Sequence, residues 1–171
     1  MRFGIANASS RLAHSAWFGM VFALMSVTVA APALAEPNMA MYDIALAQQD
    51  YSISNSNFRQ GQSYANIGRA DLARPLFIHA SNRAYVMSAN LSVAVMENRD
   101  SWVRGLYRNA VLQQQAVAYC EQAYTHTIYL RAYLQTKVNY PLSSPASVNS
   151  YLYLLSISLA QCADATRRAQ L

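Results

Sequence analysis

The chain is poor in the residues that catalytic chemistry draws on. Its 171 residues include 8 Asp and Glu, 3 His and 2 Cys. No G-x-S-x-G elbow, Walker-type phosphate loop or paired-carboxylate motif occurs. Acids this sparse supply no hydrolytic dyad, so the expectation is a protein that is not an enzyme. Outside the N-terminal segment the histidines are His79 and His126. Neither has a carboxylate or second histidine three or four residues away, and Glu121, five before His126, falls on another helical face. There is no C-x-x-C pair to tune a reactive thiolate and no C-x-x-C-H for covalent haem. Lysine is nearly absent: Lys137 stands alone, and the arginines are scattered. Without a basic stripe interleaved with aromatics, no nucleic-acid surface is expected. Glycine and proline are also scarce, at 5 each.

What is present begins at the N-terminus. Arg2 and Arg11 precede an apolar run from Ala16 to Ala30, and Ala33-Leu34-Ala35 follows. A positive start, a short apolar core and an A-x-A site make the pattern of an export signal rather than a membrane span. The expected organisation is a cleaved signal peptide over residues 1–35 and a single domain over 36–171. Two of the 13 basic residues leave with the signal, so the remaining excess over the acids is mild. Residue 36 is Glu, which offers no lipid-anchored cysteine, and no later run reaches membrane-span length. The expected location is periplasmic or secreted, in a bacterial envelope.

The domain reads as all-α, an antiparallel bundle of four to five helices. Ala, Leu, Gln, Arg and Met dominate, and strand-like alternation is missing. A first helix is expected from about Asn38, with Met41, Ile44, Ala45 and Gln48 inward. The run Ser52 to Asn57 favours a break, because Ser and Asn side chains compete for backbone bonds. Gly68 is a natural helix stop and Asp71 a candidate cap. The second long helix carries Leu72, Leu76, Ala80, Met87, Leu91 and Val95 inward. A third is expected from about Trp102 to Val138, capped by Asp100 or Ser101. Asn139 to Ser143 form a turn, and Ser144-Pro145 starts a last helix. Its seam is Val148, Leu152, Leu155, Leu159, Cys162 and Thr166, at alternating steps of three and four.

Cys120 and Cys162 are equidistant from Pro141, at the centre of that turn. Cys120 to Val138 spans about 27 Å of helix, and Pro145 to Cys162 about 25 Å. In an antiparallel hairpin the two sulfurs therefore stand at one height. Both cysteines sit on inward faces, so a Cys120–Cys162 disulfide is expected in an oxidising compartment.

Gly61, Tyr64, Gly68, Ala73, Phe77 and Ala80 fall at the spacing of small and aromatic residues in one helix pair. In this respect residues 58–80 resemble a single tetratricopeptide unit. They depart from it at Asn57, where that family places tryptophan, at Pro75 within the second helix, and at Tyr85 in place of the closing proline. A second unit is not reproduced one repeat further on. The resemblance implies a protein-binding scaffold.

All 12 tyrosines follow the leader. Tyr129, Tyr133 and Tyr140 crowd the end of the third helix, with Tyr151 and Tyr153 on the last. One helix cannot turn all of these inward, and tyrosine is enriched at interfaces. These five form the candidate contact surface for a protein partner. Met39 and Met41 are the candidates for a soft-metal site. The resulting expectation is an exported, non-catalytic interaction or structural protein, an accessory subunit of a larger assembly. The alternative is a carrier of a small ligand or cofactor, haem or copper, built on the bundle.

Overall fold

Four helices account for nearly all of residues 37 to 170, the part of the chain described by the computed structural model. They are α1 (Pro37–Asn66), α2 (Ala70–Val103), α3 (Ala110–Asn139) and α4 (Ala146–Gln170). The expected leader over 1–35 and its junction with Glu36 lie outside the described residues.

Each helix runs antiparallel to the next, and the cross-helix pairs fix the register. Between α1 and α2, Ser54 donates to the Ala80 carbonyl at 2.9 Å and Arg83 pairs with Asp50 at 3.1 Å. Between α2 and α3, Arg131 lies 4.6 Å over the Tyr85 ring, and Arg99 pairs with Glu121. Tyr51 closes the bundle by donating its hydroxyl to the Leu152 carbonyl on α4 at 3.2 Å. The core is built from Phe58 on α1, Phe77, Met87 and Leu91 on α2, Leu130 and Leu134 on α3, and the α4 seam. Every member of that seam, Val148 through Thr166, is buried.

α1 and α2 approach closely because Gly61 has no side chain. A Cβ placed there would stand 2.8 Å from Cε1 of Phe77. Phe77 in turn packs against Phe58, with ring centroids 5.9 Å apart. α1 ends at Gly68, whose φ of 76° suits the left-handed cap. The Arg69 and Gly68 amides return to the Tyr64 and Ala65 carbonyls.

Five expectations are corrected, among them Leu72, expected inward on α2 and in fact exposed. The Ser52–Asn57 run is helix throughout. Its one buried serine, Ser54, spends its hydroxyl on α2 rather than on its own backbone, and packing overrides the local competition. On the inner face of α1, Ala45 and Gln48 are exposed, while Ala40, Ile44 and Ala47 are buried. Asp71 does not cap α2; Arg69 holds that position, and Asp71 pairs with it at 2.8 Å. α2 continues to Val103, and α3 starts only at Ala110, capped by Asn109, which accepts from the Leu112 amide at 3.0 Å. The loop between them is tied down by the end of α4. Arg108 donates its amide to the Ala169 carbonyl at 2.9 Å.

The α3–α4 turn is held by Lys137, the single lysine, which is 1% exposed. Its ammonium donates to the carbonyls of Pro141 at 2.7 Å and Ser143 at 2.6 Å, and lies 5.0 Å over the Phe77 ring. Among the described residues no carboxylate pairs with it, and burial lowers its pKa. The turn carbonyls and the aromatic face take the place of a counter-ion.

At the other end of the bundle the Cys120–Cys162 disulfide joins α3 to α4, with Cα atoms 4.7 Å apart. Both cysteines are fully buried. A small polar network packs beside them. Asn98 donates to Thr166 at 3.1 Å, and Gln113 donates to the Asn98 carbonyl at 2.7 Å. This network is buried and joined through Asn98, and Oε1 of Gln113 has no hydrogen-bond partner among the described residues.

Candidate functional site

Two surface features emerge from the packing. The first lies along the α3–α4 seam. Tyr129 and Tyr133 are one turn apart on α3, and Tyr151 on α4 rises between them. The Tyr129 and Tyr133 rings each stack on Tyr151 with centroids 5.3 Å apart. His126 meets the other edge of Tyr151 at 6.3 Å. Three tyrosines thus form one aromatic ledge, in which Tyr151 is half-buried and Tyr129 remains 49% exposed. Such a ledge offers large, stiff contact area with hydroxyls at its rim.

The histidine below the ledge is fixed from both sides. Nδ1 of His126 and the Ser158 hydroxyl share a hydrogen bond at 3.1 Å, and Ser158 lies 3.2 Å from the Leu155 carbonyl. Burial lowers the His126 pKa, against a smaller opposing effect of the Leu154 carbonyl. A neutral ring suits this half-apolar position.

The five tyrosines of the expected surface do not all meet. Tyr153 follows Tyr151 by two residues, so its side chain leaves α4 about 160° away. Tyr153 is exposed, but on a different face from the ledge. Tyr140 stands at the C-cap of α3, exposed, beyond the stacked rings. Leu154, one turn on from Tyr151, extends the ledge with exposed apolar surface. The regular spacing of α4 leucines points to core, and Leu154 falls off that seam; this offset is the sequence signal for it.

The second feature is a surface cavity of about 240 Å³ between the end of α2 and the start of α3. Trp102, Val117 and Ala118 give it apolar walls, and Arg99, Gln114 and Glu121 a polar rim. Trp102 stacks on Tyr107 at 5.2 Å, and the Arg99–Glu121 ion pair spans the rim. Sequence reading places Trp102 at a helix start and misses this cavity, which exists because α2 runs past that point.

The soft-metal candidates do not converge. Met39 is exposed at the start of α1, and Met41 is half-buried against the Ile44 and Cys162 cluster, two residues away and on another face. His79 is exposed on α2 and His126 is held by Ser158. Among the described residues no group of three or more His, Cys, Asp or Glu is placed to hold a metal ion. Among them, too, no helix is long and apolar enough to cross a membrane.

Three carboxylates are unusual. Asp50 is buried and held by Arg83 and by Asn90 at 3.2 Å. Asp43 and Glu97 both have raised pKa values, Glu97 through burial first and then the charge of Asp43. The Asp50 cluster bonds α1 to α2 and offers no open side to a ligand.

No known protein family, curated protein or solved structure matches this chain.

Proposed function

We propose that this protein is an exported, non-catalytic interaction module of a bacterial envelope, an accessory subunit that presents the Tyr129–Tyr133–Tyr151 ledge to a protein partner. The observation that carries this reading is the ledge itself. Three stacked rings are held half-open to water on a rigid pair of helices, where a free-standing domain gains nothing from exposing them. Rigid aromatic anchors of this kind lose little conformational entropy on binding. The disulfide supports the location, because buried cystines of this kind accumulate in exported proteins. The leader-like segment, with its A-x-A site before Glu36, supports it independently. Gly61 lets α1 approach Phe77 closely, a helix pairing on which a scaffold role can be built.

For the carrier alternative, haem or copper held by Met and His, the candidate enclosure is the Trp102 cavity. At about 240 Å³ it falls short of the roughly 300–1,000 Å³ of sites that enclose drug-sized ligands. The ledge is therefore the better-supported site.

Two experiments test the proposal. N-terminal sequencing of the protein recovered from the envelope is expected to begin at Glu36; recovery of uncleaved chain from the cytoplasm would refute export. In-cell crosslinking followed by mass spectrometry is then expected to capture a partner through α3 and α4. A Tyr129→Ala/Tyr133→Ala variant with an unchanged circular dichroism melt should lose at least about 10-fold in capture, the size expected of an aromatic hot spot. Undiminished capture by the folded variant refutes the ledge as the contact site.

A further inference from the structure

α2 carries two seams. The inner one, with Ala73, Phe77, Ala80, Ala84, Met87 and Leu91, is buried in the bundle. The outer one faces away from it. Ile78, Tyr85 and Met96 are exposed there, Tyr85 at 56% and Met96 at 57%. Asn82, Ala89 and Ser92 fall between them, and the six follow one another at alternating steps of four and three. That is the 3.5-residue repeat with which one helix meets another. Arg131 on α3 stacks over Tyr85 and steadies its ring at the middle of the seam.

The outer seam is complementary to itself when reversed. Laid antiparallel on a second copy, Ile78 faces Met96, Asn82 faces Ser92, and Tyr85 faces Ala89. Apolar meets apolar, amide meets hydroxyl, and a large ring meets a methyl group. The same alignment places Arg74 against Asp100 of the second copy, and Asp71 beside its Arg104. Opposite charges thus meet at both ends of the strip. Within each chain Asp71 already pairs with Arg69 at 2.8 Å and Asp100 holds Arg104 at 3.0 Å, so with Arg74 the ends become five-membered charge networks. A slide of one heptad in either direction sets Arg74 against Val93 or Tyr107 and removes the charge match. The end contacts also require a shallow crossing of about 20°, the class favoured by seams with this repeat.

We propose that the protein self-associates through the outer seam of α2, antiparallel to the same seam of a second copy, with the two-fold axis between Tyr85 and Ala89. From Arg74 to Asp100 the strip is about 39 Å long. At about 10 Å wide on each copy it covers roughly 800 Å² in total, below the roughly 1,200–2,000 Å² of stable interfaces and in the range of weak, transient ones. Association is accordingly weak, and it populates where the protein is concentrated. The surface lies on α2, apart from the tyrosine ledge of α3 and α4, and it goes beyond the function proposed above without depending on it.

The register gives a direct test. In the antiparallel dimer residue 78 lies next to residue 96 of the other copy, while the two copies of residue 78 are about 27 Å apart. Ile78→Cys and Met96→Cys are exposed substitutions, and the native cysteines are closed in their disulfide. Each variant is purified from cells expressing the full chain and treated with a short bis-maleimide at roughly 100 μM protein, within the range of a small interface. The expected result is a covalent dimer from the mixture of the two variants and none from either alone. Adding Ala89→Arg to both chains, an exposed helical site, should cut the dimer yield at least 10-fold. No dimer from the mixture, self-crosslinking by a single variant, or a yield that ignores Ala89→Arg each overturns the proposal.

Discussion

Gly61 is the position where a small change has the most legible consequence. It sits in the interior of α1, where alanine is favoured over glycine by about 1 kcal/mol in helix propensity. On an exposed face, Gly61→Ala would stabilise the protein by that amount. Here the added methyl would stand 2.8 Å from Cε1 and 3.0 Å from Cδ1 of Phe77, and 3.2 Å from Cβ of Leu76. Carbon atoms in contact prefer about 3.5–4.0 Å. The Phe77 ring is fully buried and packed against Phe58, so it has little room to swing aside. Overpacking of this kind costs about 1–3 kcal/mol. The net expectation is a loss of about 1 kcal/mol, with a fall in Tm of about 4 °C. Thermal and urea unfolding of four proteins check this: wild type, Gly61→Ala, Phe77→Leu and the double variant. Phe77→Leu removes the ring atoms that collide with the methyl. In that background Gly61→Ala should recover its propensity gain and raise Tm. If Gly61→Ala raises Tm by a similar amount in both backgrounds, the close α1–α2 approach is not set by this pair.

Replacing both Cys120 and Cys162 by alanine opens a loop with a sequence separation of 42. The chain-entropy relation gives a loss of about 4 kcal/mol, read as a lower urea midpoint. A loss under about 1 kcal/mol would mean that the unfolded chain is already constrained in other ways. Stability should also fall on mild acidification, through His126. Its folded pKa is lowered from 6.5 by burial, so the unfolded chain takes up the proton first as pH falls. The stabilisation is complete above that value and is lost as pH drops through the depressed folded value. His126→Gln should flatten the change in urea midpoint between about pH 7.5 and 5.5. An unchanged slope in the variant would assign the pH dependence to other groups.

Much of the architecture is legible in the residue order because helices are local. The α4 seam is a periodicity, and periodicity survives without knowledge of the partner; all six of its residues are buried. Gly68 stops α1 for a reason internal to its own backbone, the tolerance of positive φ. The disulfide follows from equal distances to a turn along two straight rods, which is arithmetic on a helical rise. Where local chemistry competes with packing, the reading fails. Ser52 to Asn57 carry the composition of a break, yet the bond from Ser54 to the Ala80 carbonyl belongs to another helix. Asp100 and Ser101 look like caps, but both lie inside α2, and the cap is Asn109. Lys137 is one lysine in the residue order, and only the turn folded beneath it gives it carbonyl partners.

The candidate surface divides in the same way. Composition alone says that the tyrosines are too many to be buried. It does not say that Tyr129, Tyr133 and Tyr151 stack while Tyr153 turns away, because that depends on the rotation of α4 about its own axis against α3. The Trp102 cavity depends on α2 overrunning the expected loop. By itself the sequence determined the helices, their order and the cysteine pair, since each follows from short-range geometry. The tertiary structure alone decided which side chains share a face, because a rotation of one helix by a few tens of degrees moves a residue between core and surface while leaving the pattern along the chain unchanged.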